Sequence, residues 1–241
     1  LVLAANRDEF HERESAALQR WSDAPHIVGG RDLRAGGTWL AADESGRLGV
    51  ITNYRESLRR RRSAPSRGKF IGDYLRGQAR PLEYLRDIEV DATGFAGFSL
   101  LLADRDELIY ASNRTEPFAR PLDAGVYGLS NHVLDTPWPK LVRVRTRMQE
   151  LLAAPQLDRD AALTMLADRM AAPSDPSLAT GLPPDWERAL SAPFVRHDGY
   201  GTRCSTLVTI DHDGATSVVE RRFDRDGHIT GETHLEFGDR S

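Results

Sequence analysis

Four places along the chain put amide, carboxylate or guanidinium groups where an apolar run ends and the chain changes direction. Asn6, Arg7, Asp8 and Glu9 follow the apolar residues 1–5, and Asn53 comes late in the run 48–54. Asn131 follows residues 125–130, and Arg203 lies between the turn 199–201 and a strand expected from Ser205. A carboxamide can donate to a developing oxyanion. A guanidinium can grip a carboxylate, and an aspartate can orient an amine or an arginine. As a set these groups suit acyl transfer better than metal binding. Each also has a plainer reading: asparagine at a strand end is a common turn former, and neighbouring aspartate and arginine form structural ion pairs. Spacing alone does not decide between the two.

Other chemistry is less well supported. The histidines, at 11, 26, 132, 197, 212, 228 and 234, show no zinc-ligand spacing, so no metal is expected. Cys204 follows Arg203, a cation that would favour a thiolate, but a small buried strand residue is the favoured reading. No nucleophile elbow, phosphate-binding loop or dinucleotide fingerprint is present. Residues 55–69 hold seven basic residues against one acidic, including Arg59 to Arg62. A solvated loop is the expected reading, with an anion contact beside a pocket as the sharper one.

The elements that must position these groups read as strands, then helices, then strands. Residues 1–5 and 48–54 read as strands. A helical pattern from Gly68 to about Leu85 is interrupted by Gly77 and Pro81. Residues 98–103 and 108–112 flank Asp104-Arg105-Asp106 as a hairpin, and 125–130 reads as a further strand. Pro139 opens a helix with Leu141, Val144, Met148 and Leu151 on one face, and a second helix is expected over 159–170. The stretch 173–193 holds five prolines and reads as a loop. Strands at 205–210, 217–223 and 232–237 are separated by Asp213-Gly214 and Asp226-Gly227. This order predicts an α+β fold with helices on antiparallel sheets, in a single domain over 1–241.

Composition narrows the function classes. With 40% hydrophobic and 28% charged residues the chain can bury a sizeable core. A net charge of −4, from 32 basic and 36 acidic side chains, gives no global field for nucleic acid. A single cysteine excludes an internal disulfide and fits a reducing, cytoplasmic setting. No apolar run approaches the length of a membrane span. The expected partner is a small molecule.

The run Leu3-Ala4-Ala5-Asn6-Arg7-Asp8-Glu9-Phe10 resembles the signature of the NRDE family. Gly36-Gly37-Thr38-Trp39-Leu40, Thr52-Asn53-Tyr54 and Gly128-Leu129-Ser130-Asn131 are similar to further family motifs. So are Asp135-Thr136-Pro137-Trp138-Pro139-Lys140 and Gly199-Tyr200-Gly201-Thr202-Arg203, in the same order. The resemblance therefore spans essentially the whole chain. Animal members are called transport and Golgi organisation proteins, many bacterial members carry no assigned activity, and the Arg- and Ala-rich composition hints at a bacterial chain.

Members usually begin Met-Cys, in a short strand ahead of the signature. In this the family resembles amino-terminal-nucleophile hydrolases of the penicillin V acylase and bile-salt hydrolase type. That likeness implies an αββα four-layer sandwich with antiparallel sheets. It also implies a cysteine hydrolase acting on amide C–N bonds, whose thiol attacks and whose own α-amino group serves as base. Asn53 and Asn131 match the oxyanion asparagines, and Arg203 the arginine near the nucleophile. Arg7 and Asp8 match an arginine–aspartate pair less closely, because the acylase pair is spaced differently. Asn6, Trp39, Tyr54 and His132 are expected to bind the ligand. Residues 1–5 read as the middle of a strand, so a segment carrying the nucleophilic cysteine is expected ahead of Leu1. The alternative is a non-catalytic carrier of haem or of acyl-coenzyme A or lipid, with Trp39, Tyr54 and Trp138 as apolar walls beside the Arg59–Arg62 loop. No cofactor is expected for the hydrolase.

Overall fold

The computed structural model describes residues 1–55, 66–173 and 181–238; the basic run 59–62 lies outside them. The chain folds as a mixed α/β protein with two antiparallel sheets and five helices among the described residues. The larger sheet is a seven-stranded meander from β2 to β8: β2 (Ser15–Trp21), β3 (Ala24–Asp32), β4 (Leu40–Asp43), β5 (Leu48–Asn53), β6 (Phe98–Ala103), β7 (Leu108–Ser112) and β8 (Ala119–Pro121). The smaller sheet runs β1 (Val2–Phe10), β10 (Tyr200–Ile210), β11 (Thr216–Phe223), β12 (Ile229–Phe237), with the short β9 (Arg196–His197) also on β10.

Three apolar clusters fix how these elements pack. Helices α1 (Lys69–Arg76) and α2 (Pro81–Ala92) press Phe70, Ile71, Tyr74 and Leu85 onto Ile27, Leu100 and Ile109 of the larger sheet. The other face of that sheet, with Val28, Leu40 and Val50, meets Val208, Val218 and Phe237 of the smaller one. Met148 and Leu151 of α3 (Pro139–Leu152) and Leu163 and Leu166 of α4 (Arg159–Leu166) cover Leu207 and Val219 on the far face of the smaller sheet. Strand alternation carries β1 into both interiors. Leu3 and Ala5 belong to the cluster between the sheets, Val2 and Ala4 to the cluster under the helices.

Several elements stand as the sequence predicts: β5, β6, β7, the start of α3 and the hairpins of β10–β12. The interrupted helical pattern resolves into α1 and α2, with Gly77 after the first and Pro81 opening the second. Four readings are corrected. Residues 6–9 do not follow the first strand but lie inside it. Residues 125–130 form no strand, because they have no ladder partner. They are tied instead to the Asp135 carboxylate, which accepts from the Gly128 amide at 2.8 Å, while Asp135 N donates to the Gly128 carbonyl at 2.7 Å. The helix from Arg159 ends at Leu166 rather than Met170. The proline-rich stretch contains α5 (Pro184–Leu190), because Pro184 sits at a first-turn position where its missing N–H costs nothing. β2 and β3 are strands that the sequence pattern does not predict.

Candidate functional site

Among the described residues β1 is an edge strand of the smaller sheet. One side of it pairs with β10 from Val2↔Thr209 to Phe10↔Tyr200, and residues 1–9 line a cleft of about 1130 Å³. Thr52 and Asn53 at the end of β5, Asn131, Lys140 at the start of α3 and Tyr200 line the same cleft. None of the described helices is long and apolar enough to cross a membrane.

The ladder between β1 and β10 slips by one residue at the centre of the site. Arg7 faces Cys204, Asp8 faces Thr202, and Arg203 is the extra residue of the bulge. Bulges re-aim side chains next to sites, and this one does so. Thr202 Oγ1 donates to Asp8 Oδ1 at 2.7 Å, and Tyr200 Oη donates to the Asp8 carbonyl at 3.1 Å. Arg203 is not among the residues that line the cleft, and its Nη1 donates to the carbonyls of Phe10, His11 and Arg13 at 3.0–3.3 Å. Its role in this structure is to pin the turn after β1.

Arg7 and Asp8 project to opposite faces of β1. Arg7 is buried, with its guanidinium carbon 4.2 Å from the Trp39 ring centroid and one long hydrogen bond, 3.4 Å, to Ser15 Oγ. Burial lowers its pKa, against the pull of Cys204, Glu9 and Asp32. Asp8 is half-buried; burial pushes its carboxyl up, opposed by Lys140, the Thr202 hydrogen bond, Arg55 and Arg7. Lys140 is 6% exposed, and burial pulls its ammonium down to about 8 although Asp8 resists.

The two asparagines meet at the cleft. Asn131 adopts a left-handed φ of 43°, its Nδ2 donates to the Asn53 carbonyl at 3.1 Å, and its own carbonyl accepts from the Arg55 amide. One Nδ2 hydrogen remains. The Asn53 side chain is exposed and makes no hydrogen bond among the described residues. The buried Thr52 hydroxyl beside it also has no partner among the described residues.

Other expected site residues fall differently. Asn6 lines the cleft, but its amide is used up. Nδ2 donates to the carbonyls of Leu166 and Pro193 at 2.8 and 2.9 Å, and Oδ1 accepts from Ser205 at 2.6 Å. Trp39 lines the cleft; Tyr54, Trp138 and His132 are not among its lining residues. Tyr54 and His132 instead form a relay, with Tyr54 Oη 2.6 Å from His132 Nε2 and His132 Nδ1 2.8 Å from Thr136 Oγ1. Thr136 donates its own proton to the Val133 carbonyl, so His132 Nδ1–H donates to Thr136 and Nε2 accepts from Tyr54. Burial, then Arg55, lowers the pKa of His132, consistent with a neutral ring.

Cys204 is fully enclosed, and burial with the neighbouring Glu220 raises its thiol pKa, which makes it a poor nucleophile. Among the described residues one trio with metal-ligating groups converges, Asp224, Asp226 and His228 on the turn before β12. Asp224 Oδ1 already accepts the Asp226 and His228 amides, which makes it a turn former. The residue that sequence reasoning left out of the site is Lys140. Its signal was a lysine directly after Trp138-Pro139 at a helix start, where a cation is disfavoured.

Residues 1–225 match the family model described as Transport and Golgi organisation 2. The mouse Transport and Golgi organization 2 homolog is 34% identical over 237 residues, covering 92% of this chain and 86% of its own. The human Transport and Golgi organization protein 2 homolog gives the same identity and coverage. The Drosophila melanogaster Transport and Golgi organization protein 2 is 27% identical over 246 residues, covering 91% of this chain and 85% of its own. The match runs through β1, the Asn53 and Asn131 segments and β10, so the chain belongs to the Transport and Golgi organisation 2 family.

Proposed function

We propose that the cleft along β1 is the active site of a cysteine amino-terminal-nucleophile hydrolase that cleaves amide C–N bonds. Its thiol is carried by polypeptide ahead of Leu1 and seated along the free edge of β1. The observation that carries this reading is the pairing of Asn53 and Asn131 in the cleft that Arg7 and Asp8 also line. Asn53 offers a carboxamide with no competing hydrogen bond among the described residues, and Asn131 is held by the Asn53 carbonyl with one N–H to spare. The packing order of α1 and α2, the larger sheet, the smaller sheet, then α3 and α4 supports an αββα sandwich of the corresponding type.

In this reading the thiol gives its proton to the chain's own α-amino group and attacks the amide carbon. A C–S bond forms, and the carbonyl oxygen takes the negative charge. Asn53 and the free N–H of Asn131 donate to that oxygen. Collapse breaks the C–N bond, and the leaving amine takes the proton from the α-ammonium group. Water then attacks the thioester, releasing a carboxylic acid and restoring the thiol. Asp8 and Arg7 orient the groups at the strand edge.

The test is a screen of amide and N-acyl substrates with the full-length protein and its Asn53→Ala variant. Loss of one oxyanion donor is expected to lower kcat by about 100- to 1000-fold. Activity that survives unchanged in Asn53→Ala and Asn131→Ala would remove both from the mechanism.

A further inference from the structure

Lys140 is a buried cation with no ion pair among the described residues. It is 6% exposed and lines the cleft, and no carboxylate among the described residues forms an ion pair with it. Its position compounds the cost. It is the second residue of α3, a 14-residue helix whose amino-terminal end carries the positive end of the helix dipole. A buried ammonium in that place needs a compensating charge.

Asp8 is the acidic group that acts on it, but Asp8 is shared. Its carboxylate accepts from Thr202 and is also acted on by Arg55 and Arg7. Arg7 is itself 8% exposed, lines the same cleft and forms no ion pair among the described residues. Lys140 also feels Arg55, two residues beyond β5, and its Nζ lies 5.8 Å from the Trp138 ring centroid. Three cations therefore act on one half-buried carboxylate, and two of them, Lys140 and Arg7, border the cleft.

We propose that Lys140 anchors a carboxylate of the ligand, so that the cleft selects compounds carrying an acidic group. This rests on the cleft being the ligand site and not on the hydrolytic step. For the hydrolase reading it specifies the substrate class: amides whose acyl or amine half bears a carboxylate. A carboxylate suits the site because it supplies one negative charge and two acceptor oxygens to an ammonium that has neither.

The experiment uses full-length protein with isotopically labelled lysine, followed by NMR while phenylacetate, its neutral analogue phenylacetamide, or inorganic phosphate is added. The Lys140 ammonium is expected to titrate near 8 in the free protein and to move toward the ordinary lysine range when phenylacetate is bound. Phenylacetate is expected to bind about tenfold or more tighter than phenylacetamide, to lose that advantage in Lys140→Met, and to keep most of it in Lys140→Arg. Equal binding of acid and amide, no binding of phenylacetate at millimolar concentration, or a Lys140 titration that phenylacetate leaves unmoved would overturn the proposal. So would phosphate matching phenylacetate in every respect, since that marks an indiscriminate cation. The wild-type titration and Lys140→Arg carry the test if Lys140→Met does not fold. Binding is read without turnover. A protein that anchors phenylacetate through Lys140 but cleaves no amide would sink the hydrolase reading alone, and an active amidase indifferent to ligand charge would sink this proposal alone.

Discussion

The guanidinium of Arg7 lies 4.2 Å from the centre of the Trp39 ring, and the ring in turn occupies space that only a glycine at position 30 leaves open. A Cβ built on Gly30 would stand 2.3 Å from Trp39 Cη2. The arginine that borders the cleft is thus held by an indole from β4's approach and by an absence of side chain on β3. Gly30→Ala is expected to displace Trp39 and to cost about 1–3 kcal/mol. At this size that is a fall in Tm of about 2–4 °C per kcal/mol. Thermal unfolding checks it, and an unchanged Tm would mean that the indole relocates without penalty.

Asn6 and Asn53 separate by what their amides already hold. Asn6→Ala leaves the Leu166 and Pro193 carbonyls and the Ser205 hydroxyl without their partner, and is expected to cost about 2 kcal/mol or more. Asn53→Ala removes an exposed side chain with no hydrogen bond among the described residues, and is expected to stay within about 0.5 kcal/mol of wild type. Urea unfolding of the two variants checks the contrast. A large loss of stability in Asn53→Ala would mark it as structural.

Lys140 makes stability depend on pH in a defined direction. Its ammonium titrates near 8 when folded against an ordinary 10.5, so below about 8 it is charged in both states and the folded protein bears the full burial penalty. Between about 8 and 10.5 the unfolded chain binds more protons, and stability rises with pH. The rise is on the order of 3 kcal/mol for a shift of that size. Lys140→Met is expected to be more stable than wild type at pH 7 and to lose that advantage by about pH 10.5. Parallel urea titrations across this range check it; a constant difference between the two proteins would contradict the burial account.

Arg203 pins a turn instead of lining the cleft. Its Nη1 bridges three carbonyls between Phe10 and Arg13, and the same turn is closed by His11 N donating to the Gly199 carbonyl at 2.9 Å. Arg203→Gln is expected to speed hydrogen exchange at residues 10–14 while leaving exchange at Asn53 and Asn131 unchanged. Protection that stays intact in the turn would show that the guanidinium is dispensable there.

The legible part of this fold lies where apolar alternation and turn residues agree, as in β6 and β7 around Asp104-Arg105-Asp106 or in the hairpins through Gly214 and Gly227. β2 and β3 are hard to read from sequence because Pro25 and the pair Gly29-Gly30 interrupt the apolar alternation of β3, and because the β2–β3 register breaks twice. Their burial is set by the opposite sheet and by Trp39, which no local pattern encodes. The site shows the same division. Asn53 lies at the end of β5, where strand-end reading put it, whereas Asn131 follows no strand and reaches Asn53 from a turn. Asn6 is consumed by contacts 160 or more residues away, and Arg203 is swung aside by a bulge. Lys140 was invisible as a buried group because its helix also carries Arg143, Arg145 and Arg147, and a lysine among them reads as solvated.

The most direct measurement is the intact mass of the full-length protein before and after reaction with iodoacetamide. The hydrolase account predicts a mature chain that begins with cysteine and takes one adduct there, while buried Cys204 stays unmodified. A mature chain with no amino-terminal cysteine, or with one that remains unreactive, would contradict it.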